Sequence, residues 1–121
     1  MKKHILQNEL ELENILKTHK RVIMQFSAHW CGPCARITPL LTEYLGKVNR
    51  DDVIYVYCDV DVVGDLSDKF KVNSIPSFHC YIQEKNEWAD ALVSGSLSSI
   101  LEYCTKNDAL DNKKEKTIKA N

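Results

Sequence analysis

The chain has 121 residues, 44% of them apolar and 27% charged. That size predicts one domain, and so ordinary a composition excludes a disordered chain, a collagen-like fibre and a coiled coil. Sixteen basic residues against 17 acidic ones leave a net charge of −1, so no broad field draws in nucleic acid or an anionic membrane.

The opening Met1-Lys2-Lys3-His4-Ile5-Leu6 is not followed by an apolar run, whereas a secretory signal needs one of about 7–15 residues. No window reaches the roughly 18 apolar residues of a membrane span. The closing Ile118-Lys119-Ala120-Asn121 matches no retention or prenylation signal. The expected location is cytoplasmic, a reducing compartment where close cysteines mean redox or metal chemistry rather than a staple.

In chain order, His4 to Leu6 reads as a short first strand. Asn8 to His19 follows as a helix with Asn8 as N-cap and early glutamates that suit its dipole. Arg21 to Ser27 is a buried strand, too short and apolar for a free helix. Ala35 to Val48 has helical spacing with Pro39 inside it, which predicts a kink. Asp52 to Cys58 is a second buried strand, Val62 to Phe70 a short helix that Asp59 and Asp61 are expected to cap, and Ser77 to Ile82 a third buried strand. A polar turn at 84–87 leads to a strand over Trp88 to Val93, in hairpin with the one before. Ser96 to Lys106 closes the order βαβαβαββα, which predicts an α/β sandwich with an antiparallel edge. Residues 1–106 are read as the domain. Residues 107–121, with the run Lys113-Lys114-Glu115-Lys116, are read as a charged tail, frayed or extending the last helix.

The chain has five cysteines, at positions 31, 34, 58, 80 and 104. An odd count excludes full internal pairing. Cys31-Gly32-Pro33-Cys34 lies between a predicted strand and a predicted helix. Residues three apart share a side of a helical turn, within the Cα separation of about 4.4–6.8 Å that a disulfide needs. Cys31 stands at the helix N-terminus, where free backbone N–H groups and the dipole favour its thiolate. Pro33 suits the first turn, and Gly32 leaves the approach open. Cys34 lies a turn deeper and is expected to stay protonated until needed. Cys31 then attacks a disulfide in a partner, and Cys34 attacks Cys31 to release the reduced partner. The other reading, a structural zinc site, wants four ligands; there is no second close pair, and His29 is a single extra candidate. Cys58, Cys80 and Cys104 read as small buried hydrophobes.

Trp30-Cys31-Gly32-Pro33-Cys34 resembles the active-site motif of the thioredoxin family. Pro39 is similar to the family's helix proline, and Ile75-Pro76 resembles its cis-proline dipeptide. Asp59-Val60-Asp61 and Gly95 also resemble family positions. The resemblance covers about His4 to Lys106. It implies a thioredoxin fold, a central mixed sheet flanked by helices on both faces, with the cis-proline before the hairpin. It implies reduction of protein disulfides, with Trp30, Ile75, Pro76 and Gly95 as the docking surface for client proteins. The backbone of Ile75 would pair with a client segment, reading shape more than sequence. No bound cofactor or metal is implied; electrons would come from NADPH through a thioredoxin reductase, to a chain acting as a monomer.

Gln25 departs from the family, which usually carries a buried aspartate there that helps deprotonate the second cysteine. Gln cannot take a proton at neutral pH, so slower resolution by Cys34 is expected. Tyr57 stands where many bacterial members place a lysine, and Ser27 replaces a tryptophan, predicting a more polar floor. These departures sustain a rival reading: a binding module or dedicated redox adaptor with weak general reductase activity.

Overall fold

The computed structural model describes residues 1–111. At its centre runs β2 (Arg21–Ser27), with every residue buried. It pairs in parallel with β3 (Val53–Asp59) and antiparallel with β4 (Ser77–Ile82). β1 (Lys2–Ile5) lies parallel outside β3, while β5 (Glu87–Trp88) and β6 (Leu92–Val93) both pair with β4. The order is β1-β3-β2-β4-β5, a mixed sheet.

Side chains alternate between the faces of a strand, and β2 divides the core accordingly. Val22, Met24 and Phe26 pack with Leu12 and Ile15 of α1 (Glu9–Thr18) and Leu66 of α3 (Gly64–Lys69). Ile23 packs with Ile37, Leu41 and Leu45 of α2 (Gly32–Gly46) and Ile100 and Cys104 of α4 (Leu97–Lys106). Gln25 and Ser27 share the face of Ile23, so they lie on the α2 side. Asn8 caps α1 as expected, accepting from the Glu11 N–H at 3.0 Å. Pro39 lies inside α2.

Four expectations change. The last predicted strand is two short ones, because the Tyr103 hydroxyl from α4 enters the ladder between them. It accepts from the Cys80 N–H at 3.0 Å and donates to the Asp90 carbonyl at 2.8 Å. Helix α2 ends at Gly46 rather than Val48, while its start, with Cys31 as N-cap and Pro33 in the first turn, is as expected. Neither Asp59 nor Asp61 caps α3, whose N-cap is Val63 with no side-chain bond. Asp59 instead accepts from the Asp61 N–H at 2.8 Å. Finally, packing continues past Lys106: Ala109 and Leu110 are buried in the α2–α4 core. The lysine run from Lys113 lies outside the described residues.

Candidate active site

The turn from β2 into α2 carries the redox pair. Cys31 occupies the N-cap with extended backbone, and Pro33 sits in the first turn. The Cys31 sulfur accepts from the Cys34 N–H at 3.3 Å, using a helix-end donor that otherwise lacks a partner. No acidic side chain stands in this first turn, so nothing there opposes a negative sulfur. Cys31 and Cys34 are joined as a disulfide with Cα atoms 5.2 Å apart. Cys31 is 7% exposed and Cys34 fully buried, the ordering expected for an attacking and a deeper thiol.

The predicted neighbours surround the pair. The Ile75–Pro76 bond is cis, and the Ile75 carbonyl lies 3.8 Å from the Cys31 sulfur. Val60 and Ile75 pack against Ala28, Cys31 and Cys34. Gly95 faces Pro33: a Cβ there would sit 3.6 Å from the Pro33 Cβ. Trp30 is 63% exposed. Its indole N–H donates to the Asp61 carboxylate at 2.8 Å, which fixes the ring beside the disulfide and gives Asp61 a role the sequence did not reveal. His29 is exposed and forms no side-chain hydrogen bond among the described residues.

On the α2 side of the sheet, β2 carries buried polar, neutral residues next to the redox turn. Gln25 is fully buried. It donates from Nε2 to the Thr38 hydroxyl at 2.9 Å and accepts from the Tyr55 hydroxyl. Burial holds that phenol well above its ordinary pKa. Ser27 is buried as well, and its hydroxyl has no partner among the described residues. Tyr57 is half-buried, and the Lys3 ammonium, from β1, lies 5.2 Å from its ring centroid. A cation thus returns near this position from another strand. Burial pushes the Cys58 and Cys80 thiols up to about 12 and Cys104 still higher. Reaction needs the thiolate, so burial disfavours it at these three, which are buried as the sequence suggested. Among the described residues no cluster of three or more His, Cys, Asp or Glu side chains could hold a metal.

A capped dithiol beside a cis-proline, on a mixed sheet between two helical layers, defines a dithiol–disulfide oxidoreductase of thioredoxin fold. Comparison with known proteins agrees. The thioredoxin family model matches residues 3–106. The chain is 30% identical to a thioredoxin of Coprinus comatus over 64% of its own length and 73% of the relative's. It is 28% identical to thioredoxin 1 of Plasmodium falciparum over 84% of its own length and 94% of that protein. The crystal structure of reduced Schistosoma mansoni thioredoxin superposes with a TM-score of 0.77 at 28% identity, covering 88% of this chain and 98% of that one. The chain belongs to the thioredoxin family, and its chemistry is that of a thioredoxin-type disulfide reductase. Among the described residues no helix is long and apolar enough to cross a membrane.

Proposed function

We propose that Cys31 is the nucleophile and Cys34 the resolving thiol in reduction of protein disulfides. The observation that carries this reading is the bond from the Cys34 N–H to the Cys31 sulfur at the start of α2, which stabilises negative charge on that sulfur before attack and on departure. Gly32 and Pro33 keep the approach open and the turn fixed. Trp30, Ile75, Pro76 and Gly95 form the docking surface for client proteins, with Gln25 supporting the pair from below.

The chain then needs two kinds of protein partner. Clients arrive with a disulfide and leave as dithiols; a thioredoxin reductase returns the Cys31–Cys34 disulfide to the dithiol with electrons from NADPH. A cytoplasmic setting fits, since a reducing compartment keeps Cys58, Cys80 and Cys104 as thiols.

Insulin reduction, driven by dithiothreitol or by NADPH with a thioredoxin reductase, tests the activity. Trapping with Cys34→Ser tests the roles: mixed disulfides should accumulate on Cys31 and identify the clients. Accumulation on Cys34 in the Cys31→Ser variant instead would reverse the assignment. Failure of insulin reduction in both formats would favour the dedicated adaptor.

A further inference from the structure

A groove runs from the redox pair towards α3. Trp30, Val60, Val72 and Ile75 give it apolar walls, and Asn73 and Asp68 add polar groups. Val60 and Ile75 also pack against Cys31 and Cys34, and the Ile75 carbonyl lies 3.8 Å from the Cys31 sulfur. The groove therefore opens beside the reacting atom. Asp68, exposed in the last turn of α3, is the only ionisable side chain in its lining among the described residues.

The Asp68 carboxylate has no cation of its own. Lys69, its neighbour in sequence, donates instead to Glu9 at 2.6 Å. Among the described residues no Lys, Arg or His nitrogen comes within ion-pair distance of Asp68. On the same side Trp30 carries a second carboxylate, Asp61, on its indole N–H at 2.8 Å. A neutral donor fixes that carboxylate without cancelling its charge. Across the redox turn the sign reverses: Arg36 of α2 reaches Gly32, where a Cβ would lie 3.8 Å from its Nη1. The negative charge is thus local to the groove, on a chain whose net charge is only −1.

We propose that Asp68 is a specificity-determining residue, and that the groove takes an extended client segment with arginine or lysine about two residues from the reacting cysteine. Side chains of an extended segment return to the same side at every second residue, so such a residue faces the surface that its cysteine faces. Its aliphatic stem covers the apolar walls while its charged head reaches Asp68. A glutamate there meets a like charge. The inference rests on the reading of Cys31 as nucleophile and names the clients that this surface prefers. Because Asp68 is exposed, the preference is modest and falls with salt.

Short cysteine peptides carrying thionitrobenzoate in a disulfide test this. The Cys31 thiolate of the reduced protein attacks the peptide sulfur. The Cys31–peptide bond forms, the peptide–thionitrobenzoate bond breaks, and the thionitrobenzoate thiolate leaves and is read by its absorbance. The peptides differ only in Arg, Gln or Glu placed about two residues before or after the cysteine. Dividing each rate by that of dithiothreitol removes the intrinsic reactivity of each peptide. On one flank the parent should react about two- to fivefold faster with Arg than with Gln, and more slowly with Glu. About 0.5 M salt should remove most of that preference. Asp68→Asn should bring the Arg-to-Gln ratio on that flank close to one, and Asp68→Lys should invert it. An equal preference on both flanks, or one that survives Asp68→Asn, overturns the proposal. So does a parent that reacts with the Gln peptide and shows no preference on either flank. A parent that reacts with none of the peptides overturns it at its base, by removing the reading of Cys31 as nucleophile.

Discussion

The two ends of the central strands manage polarity in opposite ways. Towards the carboxyl end of β2, the buried polar groups are the amide of Gln25 and the hydroxyl of Ser27, and Gln25 bonds the buried Tyr55 of β3 and the half-buried Thr38 of α2. At the amino end of β2, Arg21 is 5% exposed and its guanidinium makes four hydrogen bonds. It donates to both Glu84 oxygens at 2.6 and 2.7 Å and to the carbonyls of Lys20 and Asn107, each at 2.8 Å. Next to it, Arg50 grips Asp52 and Asp111. The charged end ties β2, the turn after β4 and the segment after α4 into one clamp. The other end of β2, from Gln25 to Ser27, carries no charged side chain. One end is built to hold, the other to let charge come and go on sulfur.

The sharpest way to break this division is Cys31→Ser. Insulin reduction should fall to the background rate, since the attacking thiolate is gone, while the melting temperature measured under reducing conditions should stay within a degree or two of the parent's. A large loss of stability would show that the redox turn also holds the fold.

Acid should separate the two ends by pH. His79 lies on the α1–α3 face of β4, edge-on to Phe26 and Phe70, and burial pushes its pKa down to about 4. The unfolded chain takes up this proton near the ordinary histidine pKa of 6.5. Stability is therefore undiminished above that pH and is lost as pH falls from 6.5 towards 4, by up to about 2 kcal/mol. Denaturant unfolding of the parent and His79→Phe across this window should show the slope only in the parent. Parallel curves would assign acid sensitivity elsewhere.

The same contrast explains what could be read from sequence. Arg21–Ser27 and Ser77–Ile82 match the expected strands to the residue, because continuous apolar burial leaves a local signature. The redox turn is legible for the same reason: the cap, the proline and both cysteines lie within one turn of helix. Contacts closed over long separations were not. Asp61 follows a local rule as a helix cap, yet a partner 31 residues away, Trp30, takes its carboxylate. Gln25 stood out as a departure, but its partners Thr38 and Tyr55 come from elements 13 and 30 residues on. The insertion of Tyr103 into the β4 ladder, and the burial of Ala109 and Leu110 inside a stretch that reads as charged tail, are likewise products of tertiary packing.

At the clamp, Arg21→Ala should lower unfolding free energy by about 1–2 kcal/mol. The bonds to the Lys20 and Asn107 carbonyls are lost, while Glu84, already half-exposed, returns to water at little cost. Disulfide exchange should change by less than about twofold, since the clamp lies at the opposite end of β2 from the redox turn. An equal fall in activity at temperatures where the variant remains folded would mean that the two ends are coupled through β2.

The smallest effect isolates the carboxylate half of that clamp. Hydrogen bonds from Arg21 hold the Glu84 carboxyl down to about 2, against an ordinary value of 4.5. A depressed folded-state pKa stabilises above the unfolded value and loses that stabilisation as pH falls. The Glu84 contribution should therefore be complete above about pH 4.5 and vanish towards pH 2, below the window of His79. Glu84→Gln removes the titration but keeps one oxygen to accept from Arg21. Its unfolding curve should lie slightly below the parent's at neutral pH and converge with it at the acid end. Divergence there, or identical slopes from pH 4.5 downwards, would mean that the carboxylate is only a passive neighbour. The guanidinium would then be held by the two backbone carbonyls alone.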